Sequence, residues 1–107
     1  MVRKVRWAPR AIALIEEAAR HVAGDSPEAA QRLVTDAVAA AESLAELSER
    51  GRMVPELDDP AYRELLVGSY RLVYRVEADN VAVVAFVHGA RDFRSWWKRY
   101  RREGAPN

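Results

Sequence analysis

The chain has 107 residues, half of them hydrophobic, with a formal net charge of +1. This length suits one small domain that buries roughly two-thirds of its unfolded surface. The lack of cysteine excludes disulfides and thiolate metal sites, and two histidines (His21 and His88) are too few for a zinc centre. No run is apolar for long enough to span a membrane or serve as a secretory leader. The expectation is a cytoplasmic domain without metal, cofactor or membrane partner. Charge is unevenly spread: most acids fall between Glu16 and Glu64, while Arg3, Lys4, Arg6 and Arg10 crowd one end and Arg91, Arg94, Lys98, Arg99, Arg101 and Arg102 the other. That asymmetry fits an anionic partner, or simply a solvated basic face balanced by acids elsewhere.

Arg3–Trp7 alternates basic and apolar residues, which predicts a short strand. Pro9 permits a helix start. Ile12, Ile15, Ala19 and Val22 then recur at helical spacing, and Gly24 is expected to end the helix in a left-handed cap. His21, in the last turn, reads as structural. Ser26-Pro27-Glu28 carries an N-cap, a proline suited to the first helical position and an acid that complements the helix dipole. The second helix is expected to run to Arg50-Gly51, with Leu33, Ala37, Ala41, Leu44 and Leu47 as its buried stripe. The short link at Gly24-Asp25 makes the two helices an antiparallel hairpin, and the pattern lasts too few heptads for a coiled coil. Pro55, Asp58-Asp59 and Pro60 make Gly51–Ala61 a loop.

Arg63–Asp92 reads as three strands with turns at Gly68-Ser69 and Ala78-Asp79-Asn80. The first turn pairs Val67 with Tyr70, Leu65 with Leu72 and Arg63 with Tyr74. On the opposite face Glu64 pairs with Val73 and lies diagonal to Arg71 and Arg75. This predicts a cross-strand ion-pair cluster on a solvated face, with a contribution of only ~0–1 kcal/mol. A three-residue second turn pairs Tyr74 with Val84, Leu72 with Phe86 and Tyr70 with His88; an even-length turn would reverse the faces. Val81–Val87, apolar on both faces, suggests an interior strand. In the tail, Phe93, Trp97 and Tyr100 form an aromatic stripe on an amphipathic helix with a basic outer edge. Residues Glu103–Asn107 are expected to be disordered. The fold class is α+β, a strand and a helical hairpin followed by a three-stranded meander and a basic helix.

The runs R-E-L at Arg63, Y-R-L-V-Y-R-V at Tyr70 and V-H-G-A-R-D at Val87, with S-P-E-A-A at Ser26 and G-R-M-V-P-E-L at Gly51, resemble the RelE/ParE family of bacterial type II toxins. The resemblance covers nearly the whole chain. It implies the β-α-α-β-β-β fold of that family, an antiparallel sheet covered by a helical hairpin, with residues 1–103 as one toxin-like domain and 104–107 as a disordered tail. It also implies growth inhibition and plasmid stabilisation by a toxin that a cognate antitoxin neutralises. Family members either inhibit DNA gyrase or cut mRNA on the ribosome, and the long hairpin resembles the gyrase-directed ParE branch. An inactive relative that only binds is a third possibility.

For a ribonuclease, the resemblance assigns phosphate binding to Arg71 and Arg91. His88 or Tyr100 would stand in for the tail residue that activates the 2′-hydroxyl, since Trp97 occupies its place and has no proton to exchange. For a gyrase inhibitor, Arg94, Trp96, Trp97, Lys98, Arg99 and Arg101 are the expected target-binding residues, because arginine and tryptophan recur at interface hot spots. Shallow grooves on the alanine-rich second helix, at Ala30, Leu33, Ala37 and Ala41, are expected to take the antitoxin.

Overall fold

In the computed structural model, which describes residues 1–104, the chain runs β1 (Lys4–Trp7), α1 (Pro9–Ala23), α2 (Pro27–Ser43), β2 (Arg52–Met53), β3 (Tyr62–Val67), β4 (Tyr70–Val76), β5 (Asn80–His88) and α3 (Phe93–Gly104). The strands form one sheet in the order β1-β5-β4-β3-β2. β1 lies parallel to β5 and the other neighbours are antiparallel, so the sheet is mixed rather than antiparallel throughout. Side-chain alternation does not encode strand direction, which is why the parallel pairing is invisible in the sequence. β2 lies within the expected loop and is too short to show a period. None of the described helices is long and apolar enough to cross a membrane.

The β3–β4 hairpin has the expected register, from Val67↔Tyr70 through Leu65↔Leu72 to Arg63↔Tyr74. Gly68 has φ +57° and Ser69 does not share the positive sign, as a type II′ turn requires. The second turn differs from the expectation. The Glu77 N–H donates to the Asn80 carbonyl at 2.9 Å, so the turn has two residues, Ala78 and Asp79, and Asn80 begins β5. By itself this would put the wrong faces together. A bulge corrects it: Val73 pairs with Ala85 but Tyr74 pairs with Val83, which leaves Val84 as the extra residue. Leu72↔Phe86 and Tyr70↔His88 therefore hold, while the expected Tyr74–Val84 pair does not form.

Both faces of the sheet are covered. Ala11, Ile15 and Ala18 of α1, with Ala37, Ala41 and Leu44, pack on Leu72, Tyr74, Val81, Val83 and Phe86. Opposite them, Phe93, Trp96 and Trp97 of α3 pack with Val54 on Tyr62, Val73, Ala85 and Val87. The face expected to be solvated is thus a second core. Burying three large aromatics contributes on the order of 2–3 kcal/mol apiece, which offsets the several kcal/mol lost when nearby ions are desolvated.

The helices depart from the expectation at their ends. Ile12 and Leu47 are exposed, at 43% and 61%, because the buried stripe of α1 is Ala11, Ile15 and Ala18, and α2 stops at Ser43. Beyond Ser43 the N-terminal strand claims the chain: the Arg3 N–H donates to the Ala45 carbonyl at 2.8 Å and its guanidinium to Ser48 Oγ at 2.9 Å. Gly24 is right-handed, with φ −59°, so it is no left-handed cap. The chain enters α2 through Ser26, whose side chain accepts the Ala29 N–H as expected. α3 extends to Gly104, so Glu103 and Gly104 of the expected disordered tail are helical, and the rest of that tail lies outside the described residues.

Candidate functional site

Arg71 sits in the middle of β4, on the face covered by α3. Its Nε donates to Glu64 at 2.6 Å, and its two terminal nitrogens donate to Glu56 at 3.0 and 2.6 Å. Glu64 takes a second bond from Arg52 Nε at 2.6 Å, and the Phe93 ring centre lies 4.4 Å from the Arg71 guanidinium carbon. The Glu64 side chain is fully buried and that of Arg71 is 8% exposed. Hydrogen bonds from Arg71 hold the Glu56 carboxyl below its usual range, against the opposing effect of burial. The same bonds, Glu56 foremost, raise the Arg71 guanidinium further. Arg71 thus commits its Nε and both terminal nitrogens to two carboxylates, which balance its charge. This overturns the expected exposed cluster in which Glu64 meets both Arg71 and Arg75; Arg75 instead lies 3.8 Å from Glu77.

The other residues expected of a ribonuclease stand in different surroundings. His88 ends β5, exposed, with its Nδ1 accepting the Ala90 N–H at 3.0 Å and its ring edge-on to Tyr70. Nε2 is therefore the nitrogen left to face outward. Arg91 is exposed, its guanidinium 5.9 Å from the Trp96 ring centre. Both line an open cleft of about 260 Å³ together with Glu17, His21, Tyr70 and Trp96. Tyr100 is held elsewhere. Its hydroxyl donates to the carbonyl of Val84, the bulge residue, at 2.6 Å, its ring stacks on Trp96, and Arg10 lies over the ring at 3.8 Å. Burial pushes its hydroxyl pKa up, which the Arg10 charge opposes. Arg71 is thus tied into its own ion-pair network, while Trp96 lies between the His88–Arg91 cleft and the ring of Tyr100. Tyr100→Phe should cost about 1–3 kcal/mol by leaving the Val84 acceptor without its donor, measured as a lower urea midpoint with an unchanged slope.

The expected target-binding set divides by exposure. Trp96 and Trp97, at 9% and 6%, face the sheet and anchor α3 rather than reaching out. Lys98, Arg99 and Arg101 are exposed, as is Arg94, which also donates to the Glu56 carbonyl at 3.0 Å. The expected antitoxin groove on α2 is not a surface: Ala37 and Ala41 have no exposure, Ala30 is buried and Leu33 packs partly against the core. The small alanine side chains let α2 approach its neighbours closely and so close the groove. The large apolar residues that the hairpin does expose are Ile12, Val34 and Val38. Among the described residues, no cluster of three His, Asp or Glu side chains is placed to hold a metal.

One contact had no signal in the sequence. The Gly51 N–H donates to the hydroxyl of fully buried Tyr74 at 3.0 Å, while Arg63 donates to the Gly51 carbonyl at 2.8 Å. Burial raises the Tyr74 hydroxyl pKa, so it stays neutral. Gly51 reads in the sequence only as a helix terminator, because its partner lies 23 positions away.

A helical hairpin on one face of a mixed five-stranded sheet, and an amphipathic basic helix on the other, define an α+β class with a neutralised strand arginine at its centre. A solved chain described as the chromosomal ParDE TA system from P. aeruginosa has this fold: the two align with a TM-score of 0.67 at 21% identity, over 81% of this chain and 96% of that one. No protein of curated function matches the sequence. The model of the family described as the ParE toxin of type II toxin-antitoxin system, parDE, matches residues 5–93, and the chain belongs to that family.

Proposed function

We propose that this ParE-family toxin acts in the cytoplasm by inhibiting DNA gyrase and is neutralised by a cognate antitoxin. The observation that carries the gyrase reading is the commitment of Arg71 to Glu56 and Glu64. A phosphoryl-transfer site needs an arginine free to meet developing charge, and a phosphate at Arg71 would first have to displace two carboxylates. The Tyr100 hydroxyl is likewise occupied, by Val84. Exposed cations left for a target are densest on the outside of α3, with Lys98, Arg99, Arg101 and Arg102 in five residues. For the antitoxin, the exposed apolar residues Ile12, Val34 and Val38 of the hairpin suit an amphipathic helix laid across it. Ala30, Leu33, Ala37 and Ala41 support such a contact from beneath.

The test pairs two assays on intact protein. Supercoiling by purified gyrase is expected to stop, and ribosome-bound mRNA is expected to remain whole. Normal supercoiling at large toxin excess, together with codon-specific cuts, would replace this reading with the ribonuclease. That enzyme would have to use the exposed His88 and Arg91, so His88→Ala and Arg91→Ala would abolish cutting in a folded protein. Silence in both assays points to an inactive binding relative. Co-purification with the product of a neighbouring small reading frame checks the antitoxin, and two separate size-exclusion peaks at micromolar concentration would refute it.

A further inference from the structure

Arg94, Lys98, Arg99, Arg101 and Arg102 are all exposed on α3. Among the described residues no carboxylate lies within 4.0 Å of any of them, whereas Arg6, Arg52, Arg71 and Arg75 each meet a glutamate. At 3.6 residues per turn Arg94, Lys98, Arg99 and Arg102 lie on the arc away from Phe93, Trp96, Trp97 and Tyr100, and Arg101 flanks the aromatic face, its guanidinium 5.7 Å from the Trp97 ring centre. The repeat Arg94, Lys98, Arg102 places like charges four residues apart, which destabilises a helix by about 0.2–0.5 kcal/mol per pair. Glu103 is the single acid of the helix. The aromatic face, buried against the sheet, holds α3 in place despite this repulsion.

We propose that the outer face of α3 docks on duplex DNA, its cations meeting phosphates along the major groove without reading base sequence. From Arg94 to Arg102 the row spans roughly 12 Å at 1.5 Å per residue. A duplex carries one phosphate charge per ~1.7 Å of axis, a density that suits such a row. The major groove, about 12 Å wide, admits a helix between its flanking phosphates, whereas the deep, narrow major groove of A-form RNA keeps side chains out. Arginine and lysine on phosphates position a protein but carry no sequence information. Because α3 is already packed, docking requires no ordering of the helix. The acids concentrated between Glu16 and Glu64 turn the rest of the molecule away from DNA, so a net charge of +1 still permits steering. The proposal deepens the gyrase reading and rests on it only for its purpose, since gyrase works on duplex DNA.

The experiment is fluorescence anisotropy of the full-length protein with a labelled duplex of mixed sequence, titrated at several salt concentrations. Binding should weaken with a log–log salt slope between about −3 and −4, as four or so phosphate contacts give. The charge reversal Lys98→Glu, Arg101→Glu, Arg102→Glu should weaken binding at least ~100-fold at low salt and flatten the slope, with an unchanged circular dichroism spectrum. Lys98→Gln with Arg102→Gln, milder for the helix, should lower the slope by about two contacts. Wild-type affinity in either folded variant, no duplex binding at low salt, or tighter binding of duplex RNA would overturn the proposal. Gyrase is absent from this assay, so the two readings fail separately. Supercoiling inhibition without duplex binding sinks the DNA face alone. Duplex binding without inhibition upholds the DNA face and sinks the gyrase reading.

Discussion

Replacing Arg71 with alanine is expected to destabilise the fold by about 3–5 kcal/mol, because it leaves a buried carboxylate without its main partner. Glu64 has no solvent contact and would keep only the Nε bond of Arg52, whose own side chain is 62% exposed. Glu56 would lose both of its side-chain bonds to the sheet. An exposed strand pair would have cost no more than ~1 kcal/mol, so urea unfolding separates the two cases. Arg71→Met combined with Glu64→Gln, which removes the charge along with its partner, should recover much of the loss. Lost toxicity in Arg71→Ala therefore reports folding unless the variant is shown to be intact. The same network sets a pH dependence. Glu56 is held below its usual range in the folded state, so its stabilising effect is complete above the unfolded value of about 4.5 and disappears as pH falls through the folded one. The midpoint for unfolding should drop across that acid window in the wild type. In Glu56→Gln the drop should be shallower, and an identical slope would refute the role assigned to the pair.

Gly51→Ala is expected to cost about 3 kcal/mol, at the upper end of overpacking effects. A Cβ there would lie 2.5 Å from the Glu64 carbonyl oxygen and 2.7 Å from the Tyr74 hydroxyl. The carbonyl belongs to a paired strand and Tyr74 has no freedom to move, so the loop must lift. Lifting it breaks the Gly51–Tyr74 bond and the register of Arg52 and Met53 with β3. Gly24→Ala is the control: the nearest atom to its Cβ lies at 3.3 Å and its φ is ordinary, so thermal unfolding should shift little. Equal shifts for the two variants would contradict the close packing at Gly51.

Elements whose signals are local could be read directly from the residues. Period-two alternation and a glycine with positive φ placed the β3–β4 hairpin to the residue, and the Ser26-Pro27 start of α2 was legible from cap chemistry. Family motifs spread along the chain carried the toxin class, which the match over residues 5–93 establishes. Features that depend on distant partners emerged with the packing. The parallel addition of β1 has no signature in side-chain pattern, and the two-residue turn and the bulge at Val84 shift the register in opposite senses, so the far end of the sheet hides them both. The aromatic stripe of α3 was legible as a stripe, but not as the lid of the Arg71 face, because amphipathicity says that a helix has an inner side without saying what it covers. That lid turned Glu64 and Arg71 from a solvated pair into a buried one, put Trp96 and Trp97 inside, and left the lysine and arginines of α3 facing out. Burial sets the strength of a charge interaction, and burial is a property of how elements pack rather than of any one segment.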